Sequence, residues 1–330
     1  MKKFICIVLP IVFALGVFAC EVVNASETEG NIPVIKSDST YKVIVEHDLV
    51  YAEGLSHKSI NSADAETMPL KMDIYVPDND IKNRPVFMFI HGGGFSGGSK
   101  QQGQIIRWAN HYTSRGWVFI SVDYRLKKHK GTVPIEWVEN TENLPEQRVA
   151  QFLAIYPAIR DAKAALRWVI ANAGTYNIDT NYITIGGASA GAMSAIAIGI
   201  SEHEDYRDEI DINIDKTISS TNLEQSYKIR TIVNLWGSKT ALDILERIYK
   251  HQRFDENDPS LFIAHGTKDP KVPFSKAEEL KTIYEANGVP LVYYPLEGKG
   301  HGVWGAKVND KPLEELAFES IVELQSLKVE

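Results

Sequence analysis

Ser189 stands at the centre of Gly187-Ala188-Ser189-Ala190-Gly191. A serine with glycine two places before and two places after fits a sharp turn from a strand into a helix, where larger neighbours would collide with the adjoining backbone. Such a turn strains the serine and lifts its hydroxyl clear of the sheet. The helix N-terminus behind it offers unpaired N–H groups and a partial positive charge, which suit a developing oxyanion. A serine hydroxyl is a poor nucleophile at neutral pH and needs a base, with a third group to orient that base. His301, in Gly298-Lys299-Gly300-His301-Gly302, is the candidate base, and Asp269, in His265-Gly266-Thr267-Lys268-Asp269, is the candidate orienting acid. Glu297 is the reserve acid because it too lies near the last loop. Asp258 is weaker because it precedes its strand, and His265 precedes a turn that already supplies Asp269.

A fourth stretch, His91-Gly92-Gly93-Gly94-Phe95, completes the set. Consecutive glycines let backbone amides approach the negative oxygen of a tetrahedral intermediate closely. Gly93 and Gly94 are the candidate donors, with the Ala190 amide as the third. A phosphate cradle is the competing reading, but no Gly-Lys-Ser/Thr follows and no G-x-G-x-x-G spacing fits a nucleotide. His91 reads as a brace for this loop rather than a second base. Trp236 and Trp304 follow strands and are candidates to line an acyl pocket, with core packing an equal alternative. A single G-x-S-x-G arises by chance in many loops; the weight comes from four stretches in this order.

The elements that must position these residues are legible from pattern. Pro85-Val86-Phe87-Met88-Phe89-Ile90, Trp117-Val118-Phe119-Ile120-Ser121-Val122, Asn181-Tyr182-Ile183-Thr184-Ile185, Thr231-Ile232-Val233-Asn234-Leu235, Ser260-Leu261-Phe262-Ile263-Ala264 and Leu291-Val292-Tyr293-Tyr294 read as buried strands, most of them nearly unbroken apolar runs. Residues 41–45, 49–51 and 70–77 alternate and read as antiparallel edge strands. Helices are expected over 104–114, 147–172 (with Pro157 as a kink), 191–200, 241–249, 275–286 and 313–327. Segment 127–144 reads as a loop or insertion, and the acidic, polar segment 202–226 as a loop or a cap over the site. Within the first, Lys127-Lys128-His129-Lys130 reads as a solvated basic run. Alternating strands and helices predict an α/β protein with a mostly parallel central sheet flanked by helices, variable cap or insert segments, and ligands at the carboxyl ends of the strands.

The chain has 330 residues, 44% hydrophobic and 24% charged, which suffices for one large core. A formal charge of −8 leaves no basic footprint for nucleic acid. Lys2 and Lys3 precede an apolar run from Phe4 to Ala19, the pattern of a secretory signal. Cleavage after Ala25, behind Val23-Asn24-Ala25, is preferred; the competing site is Cys20, where Val17-Phe18-Ala19 resembles a lipoprotein box with a bulky Phe18. The expected organisation is therefore a signal peptide over 1–25, a linker over 26–40 and one domain over 41–330. A secreted or periplasmic protein is expected, membrane-anchored only if Cys20 is lipidated. Cys6 and Cys20 are the only cysteines, so cleavage after Ala25 leaves no disulfide, cysteine nucleophile or cysteine-based metal site.

Taken together, these stretches resemble the α/β-hydrolase fold of the carboxylesterase/lipase kind with an HGGG oxyanion loop. The resemblance also draws on Ser121-Val122-Asp123-Tyr124-Arg125-Leu126 and Asp161-Ala162-Lys163-Ala164-Ala165-Leu166-Arg167-Trp168. It implies ester hydrolysis through an acyl-enzyme, without metal or organic cofactor, and structural rather than catalytic roles for Asp123 and Arg125. Two departures concern the pocket: the stretch from Leu126 to Asp161 is longer than in hormone-sensitive-lipase-like relatives, and no Ala-Pro-Glu follows Tyr-Arg-Leu. The expected substrate is a small-molecule or polysaccharide-linked ester, with acetyl, feruloyl and other short or medium acyl groups foremost. A polyester hydrolase, a peptidase of the same fold and a non-catalytic ligand-binding protein are the alternatives. The peptidase lacks room for its usual extra domain, and a pure binder has no need of all three of Ser189, Asp269 and His301.

Overall fold

The computed structural model describes residues 32–330. The expected signal peptide, Cys6 and Cys20 lie outside the described residues. In chain order the elements are β1 (Val34–Ile35), β2 (Val43–His57), β3 (Ala65–Pro77), β4 (Arg84–Ile90), α1 (Gly103–Thr113), β5 (Val118–Val122), α2 (Ile135–Glu139), α3 (Glu146–Leu153), α4 (Ile155–Ala171), α5 (Ala173–Tyr176), β6 (Ile178–Ala188) and α6 (Ala190–Ile200). There follow β7 (Ile229–Leu235), α7 (Thr240–Tyr249), β8 (Ser260–Gly266), α8 (Ser275–Asn287), β9 (Leu291–Leu296), β10 (Lys307–Val308), β11 (Lys311–Pro312), α9 (Leu313–Gln325) and β12 (Lys328–Val329).

Eight strands form the central sheet in the order β2-β3-β5-β4-β6-β7-β8-β9. The β2–β3 and β3–β5 pairs are antiparallel, and every pair from β5 to β9 is parallel. Side chains alternate across this sheet as the pleat requires. Val86, Met88 and Ile90 of β4 face a core built with α4, α6, α7 and α8, whereas Phe87 and Phe89 face a second core built with α1 and α9. Both faces are thus covered, which explains the unbroken apolar runs of the central strands.

Three differences from expectation have simple causes. The helix expected over 147–172 is two helices that break at Ala154. Pro157 is the third residue of α4, where the amide it lacks has no partner within the helix, so proline starts a helix here rather than kinking one. Part of the expected linker is structured: Val34 and Ile35 pair in parallel with Lys328 and Val329, and Ile35 is fully buried in the second core. Two-residue strands such as β1 and β12 carry no periodic signal, so only long-range pairing reveals them. Finally, residues 43–57 form one strand rather than two, kept continuous through irregular pairing near Asp48 and Tyr51.

Candidate active site

Because β4, β6, β7, β8 and β9 run parallel, their carboxyl ends share one edge of the sheet. His91 follows β4, Ser189 follows β6, Trp236 follows β7, and Asp269 and His301 lie in the loops after β8 and β9. Residues scattered over more than two hundred positions therefore meet at one rim.

Ser189 occupies the junction of β6 and α6 with φ 54° and ψ −118°, a conformation strained for any residue with a side chain. The turn is tight enough to dictate its glycines. A Cβ on Gly187 would lie 2.6 Å from the Ile90 carbonyl oxygen, and one on Gly191 would lie 2.6 Å from that of His91 and closer still to that of Ile90. Ser189 N–H donates to the Leu235 carbonyl at 2.9 Å, which ties the turn to β7.

The three predicted polar groups are in line. The Ser189 hydroxyl oxygen lies 2.9 Å from His301 Nε2, and His301 Nδ1 lies 2.7 Å from Asp269 Oδ2. The Asp269 carboxylate is itself held: its Oδ1 accepts the Lys271 and Val272 amides at 2.7 and 3.0 Å. Burial pushes this carboxyl up, but the His301 bond and the two amides outweigh it and hold it below the ordinary carboxylate range. His265 is fully buried, with Nε2 2.9 Å from the Val272 carbonyl and 3.3 Å from Asp269 Oδ2, so it packs behind the acid. Burial holds His265 below the usual histidine range. Glu297, the reserve acid, instead accepts from Thr267 Oγ1 at 3.3 Å, and Asp258 accepts the Asp255 amide.

The loop after β4 is fixed by His91. Its ring is buried, stacks on Tyr124 at 4.3 Å between centroids, and donates from Nδ1 to the Gly92 carbonyl at 2.7 Å. Tyr124 returns a hydrogen bond from its hydroxyl to the His91 carbonyl at 2.9 Å. Burial lowers the His91 pKa, which favours the neutral ring of a brace. Gly93 and Gly94 carry φ of 123° and 60°, so the backbone there turns as glycine alone readily allows. Among the described residues the amides of Gly93, Gly94 and Ala190 donate to no protein group.

Ser189, His301, Gly93, Gly94 and Ala190 border a cavity of about 680 Å³. Trp236 and Trp304 both line it, in edge-to-face contact at 5.1 Å. Trp236 is also buried in the second core, so packing and lining are both true of it. Sequence reasoning missed Gln102, Gln151, Met193 and Lys271, which also line the cavity. Gln151 donates from Nε2 to the Gly94 carbonyl at 2.9 Å. No spacing rule marks such residues, because they reach the cavity from the residue before α1, from α3, from α6 and from the acid loop independently. Segment 202–226, with its two readings of loop or cap, forms no cap here: among the described residues none of it lines the cavity. It is fastened elsewhere, through Arg160 to Asp215 at 3.0 Å, Arg253 to Asp205 at 2.7 Å and Arg167 to the Thr221 carbonyl at 2.8 Å. Arg125 likewise forms a buried fork on Asp161 at 2.6 Å and donates to the Leu55 carbonyl, a structural role.

The BD-FAE family profile matches residues 72–137 and 144–254. The chain belongs to the BD-FAE family. The matched BD-FAE region includes the glycine loop and Ser189 but ends before Asp269 and His301, and the gap at 138–143 falls in the segment read as variable. Esterase LipC of Mycobacterium tuberculosis is 25% identical over 254 residues, covering 68% of this chain and 54% of that protein. Gut esterase 1 of Caenorhabditis briggsae is 32% identical over 134 residues, 41% of this chain and 21% of that protein. The chain spans about half the length of the curated relatives it matches over most of its own. A thermophilic esterase of Thermogutta terrifontis, Est2, superposes with a TM-score of 0.57 at 23% identity, covering 87% of this chain and 93% of that one. A truncated carbohydrate esterase from gut microbiota gives 0.55 at 19% identity, covering 88% and 99%. This BD-FAE chain therefore has the α/β-hydrolase fold.

Proposed function

We propose that the protein is a serine esterase that hydrolyses carboxylic esters through an acyl-enzyme. The observation that carries this reading is the run of two short contacts, Asp269 to His301 at 2.7 Å and His301 to Ser189 at 2.9 Å, beside three backbone amides that have no protein partner among the described residues. Membership of the BD-FAE family and likeness to proteins named as esterases support it.

In this reading His301 Nε2 takes the proton of Ser189 as the hydroxyl oxygen attacks the ester carbonyl. Asp269 fixes the tautomer that leaves Nε2 free to accept, and stabilises the imidazolium that forms. The amides of Gly93, Gly94 and Ala190 donate to the oxyanion, each worth about 2.7–4 kcal/mol of barrier. His301 then gives its proton to the leaving alcohol oxygen. A water molecule attacks the acyl-enzyme by the same route, restoring Ser189 and releasing the acid. Short and medium acyl groups, acetyl and feruloyl esters among them, are the proposed substrates. Export is also proposed, on residues 1–25 alone; mass spectrometry of the native N-terminus separates cleavage after Ala25 from a diacylglycerol on Cys20.

Ser189→Ala tests the central reading. Hydrolysis of p-nitrophenyl acetate or butyrate is expected to fall by about 10⁶-fold, with circular dichroism and Tm unchanged. Turnover at the wild-type rate would end the assignment.

A further inference from the structure

The geometry points to Lys271 as a specificity-determining residue that selects esters carrying a carboxylate away from the scissile bond. This inference rests on the esterase reading and names its substrate class. Of the described residues lining the cavity, Lys271 is the one that carries a fixed charge. Its backbone is pinned: its amide donates to Asp269 Oδ1 at 2.7 Å, in the same loop that orients His301. Its side chain is exposed and has no ion-pair partner among the described residues. A cation on a fixed root beside the reacting centre, with its charge uncommitted, is placed to meet an anion on the substrate.

The surroundings reinforce that sign. Lys268 and Lys299 are exposed and sit on the two loops that carry Asp269 and His301, joined by a Lys268 N–H to Lys299 carbonyl bond of 2.9 Å. Neither is ion-paired among the described residues. Of the acids on these loops, the Asp269 side chain is wholly buried and committed to His301 and two amides, whereas Glu297 is exposed and accepts from Thr267 Oγ1. Lys268 and Lys299 do not line the cavity themselves, but with Lys271 they outnumber the one exposed acid of these two loops, Glu297, on a chain of formal charge −8. The cavity, at about 680 Å³, is also larger than an acetyl group needs. It falls within the range of about 300–1,000 Å³ that holds whole small ligands. Its walls combine Trp236 and Trp304 with the amides of Gln102 and Gln151, a surface for a polar ring as well as an acyl chain. The carboxylate can belong to the acyl part, as in a dicarboxylic half-ester, or to the alcohol part, as in an acylated acidic sugar or hydroxybenzoate.

Two matched pairs of substrates separate those sources. The p-nitrophenyl monoester of adipic acid against p-nitrophenyl hexanoate places the anion on the acyl side; 4-acetoxybenzoate against 4-acetoxybenzamide places it on the alcohol side. For each pair the readout is the ratio of kcat/KM, anionic over neutral, in which any general effect on turnover cancels. In at least one pair Lys271→Gln is expected to lower this ratio about five-fold at low ionic strength, the upper end for a solvent-exposed ion pair. The loss should lie mainly in KM. Lys271→Arg should restore the ratio, and added salt should shrink the wild-type ratio towards that of the glutamine variant. Equal ratios in wild type and Lys271→Gln for both pairs would overturn the inference while leaving the esterase reading intact. Failure of the wild-type protein to hydrolyse either neutral ester would instead overturn the esterase reading, and this inference with it.

Discussion

Two regions of this molecule bring acids and bases together, and they do so for opposite ends. At the rim, Asp269 meets His301 with the acid buried and the imidazole about one-fifth exposed, its second nitrogen turned to Ser189. Behind the sheet, Asp215 meets Arg160 with both side chains almost wholly buried. Asp215 also accepts from Thr132 Oγ1 at 3.0 Å and from the Thr217 amide at 3.0 Å, while Thr132 in turn contacts His57 of β2. Burial alone would raise the Asp215 pKa, but Arg160 and the Thr217 hydroxyl outweigh it and keep the carboxyl low. Both oxygens of the Asp215 carboxylate are spent inside the protein; this second cluster fastens β2, the 127–134 loop, α4 and the 202–226 segment to one another. The first leaves one hydrogen-bonding position for a substrate-facing hydroxyl. The same pairing of a carboxylate with a basic side chain yields a fastening when the carboxylate's partners all lie inside the protein, and a reactive centre when the base keeps one nitrogen facing a cavity.

Substitution of the two acids should separate the roles. Asp269→Asn keeps an acceptor for the Lys271 and Val272 amides but presents the wrong partner to His301 Nδ1. We expect kcat for p-nitrophenyl butyrate to fall about 10⁴-fold, with little change in Tm; wild-type kcat would dissolve the contrast from the catalytic side. Asp215→Ala strands the Arg160 guanidinium in a buried site. The expected loss is about 3–5 kcal/mol of folding free energy, read by urea denaturation. A variant as stable as wild type would show that the cluster fastens nothing. The smallest effect sharpens the comparison at a third acid. Burial, with help from the neighbouring charges of Asp255 and Glu202, raises the Asp258 pKa to about 7, against the Asp255 amide bond. A carboxyl whose folded pKa is raised binds its proton more tightly in the native state between about pH 4 and 7. Its stabilising contribution is therefore complete in acid and is lost as pH rises through about 7. Asp258→Asn should raise Tm at pH 8 and flatten the decline of Tm between pH 5 and 8; an unchanged profile would refute the assignment.

The strand and helix pattern was legible because hydrophobic periodicity is a local property. The apolar runs ending at Ile90, Val122, Leu235 and Ala264 match β4, β5, β7 and β8 closely. Motif glycines were legible for a similar reason, since Gly187 and Gly191 answer to steric contact within one turn. Illegible were features made by distant partners. The parallel β1–β12 pair joins residues nearly three hundred positions apart, and the hub at Asp215 draws on four segments. The break at Ala154 was missed because proline was read as a disruption, whereas its effect depends on which turn of the helix it occupies.

Sequence alone determined which residue types were available for chemistry and the order in which strands deliver them, because spacing and composition are encoded along the chain. Tertiary structure alone decided that Ser189, His301 and Asp269 come within hydrogen-bond reach, that residues 202–226 stay off the cavity wall, and that Gln102, Gln151 and Lys271 join it. The physical reason is that a parallel sheet gathers its carboxyl ends on one edge whatever the intervening lengths, while the direction of each loop side chain depends on neighbours that no local pattern names.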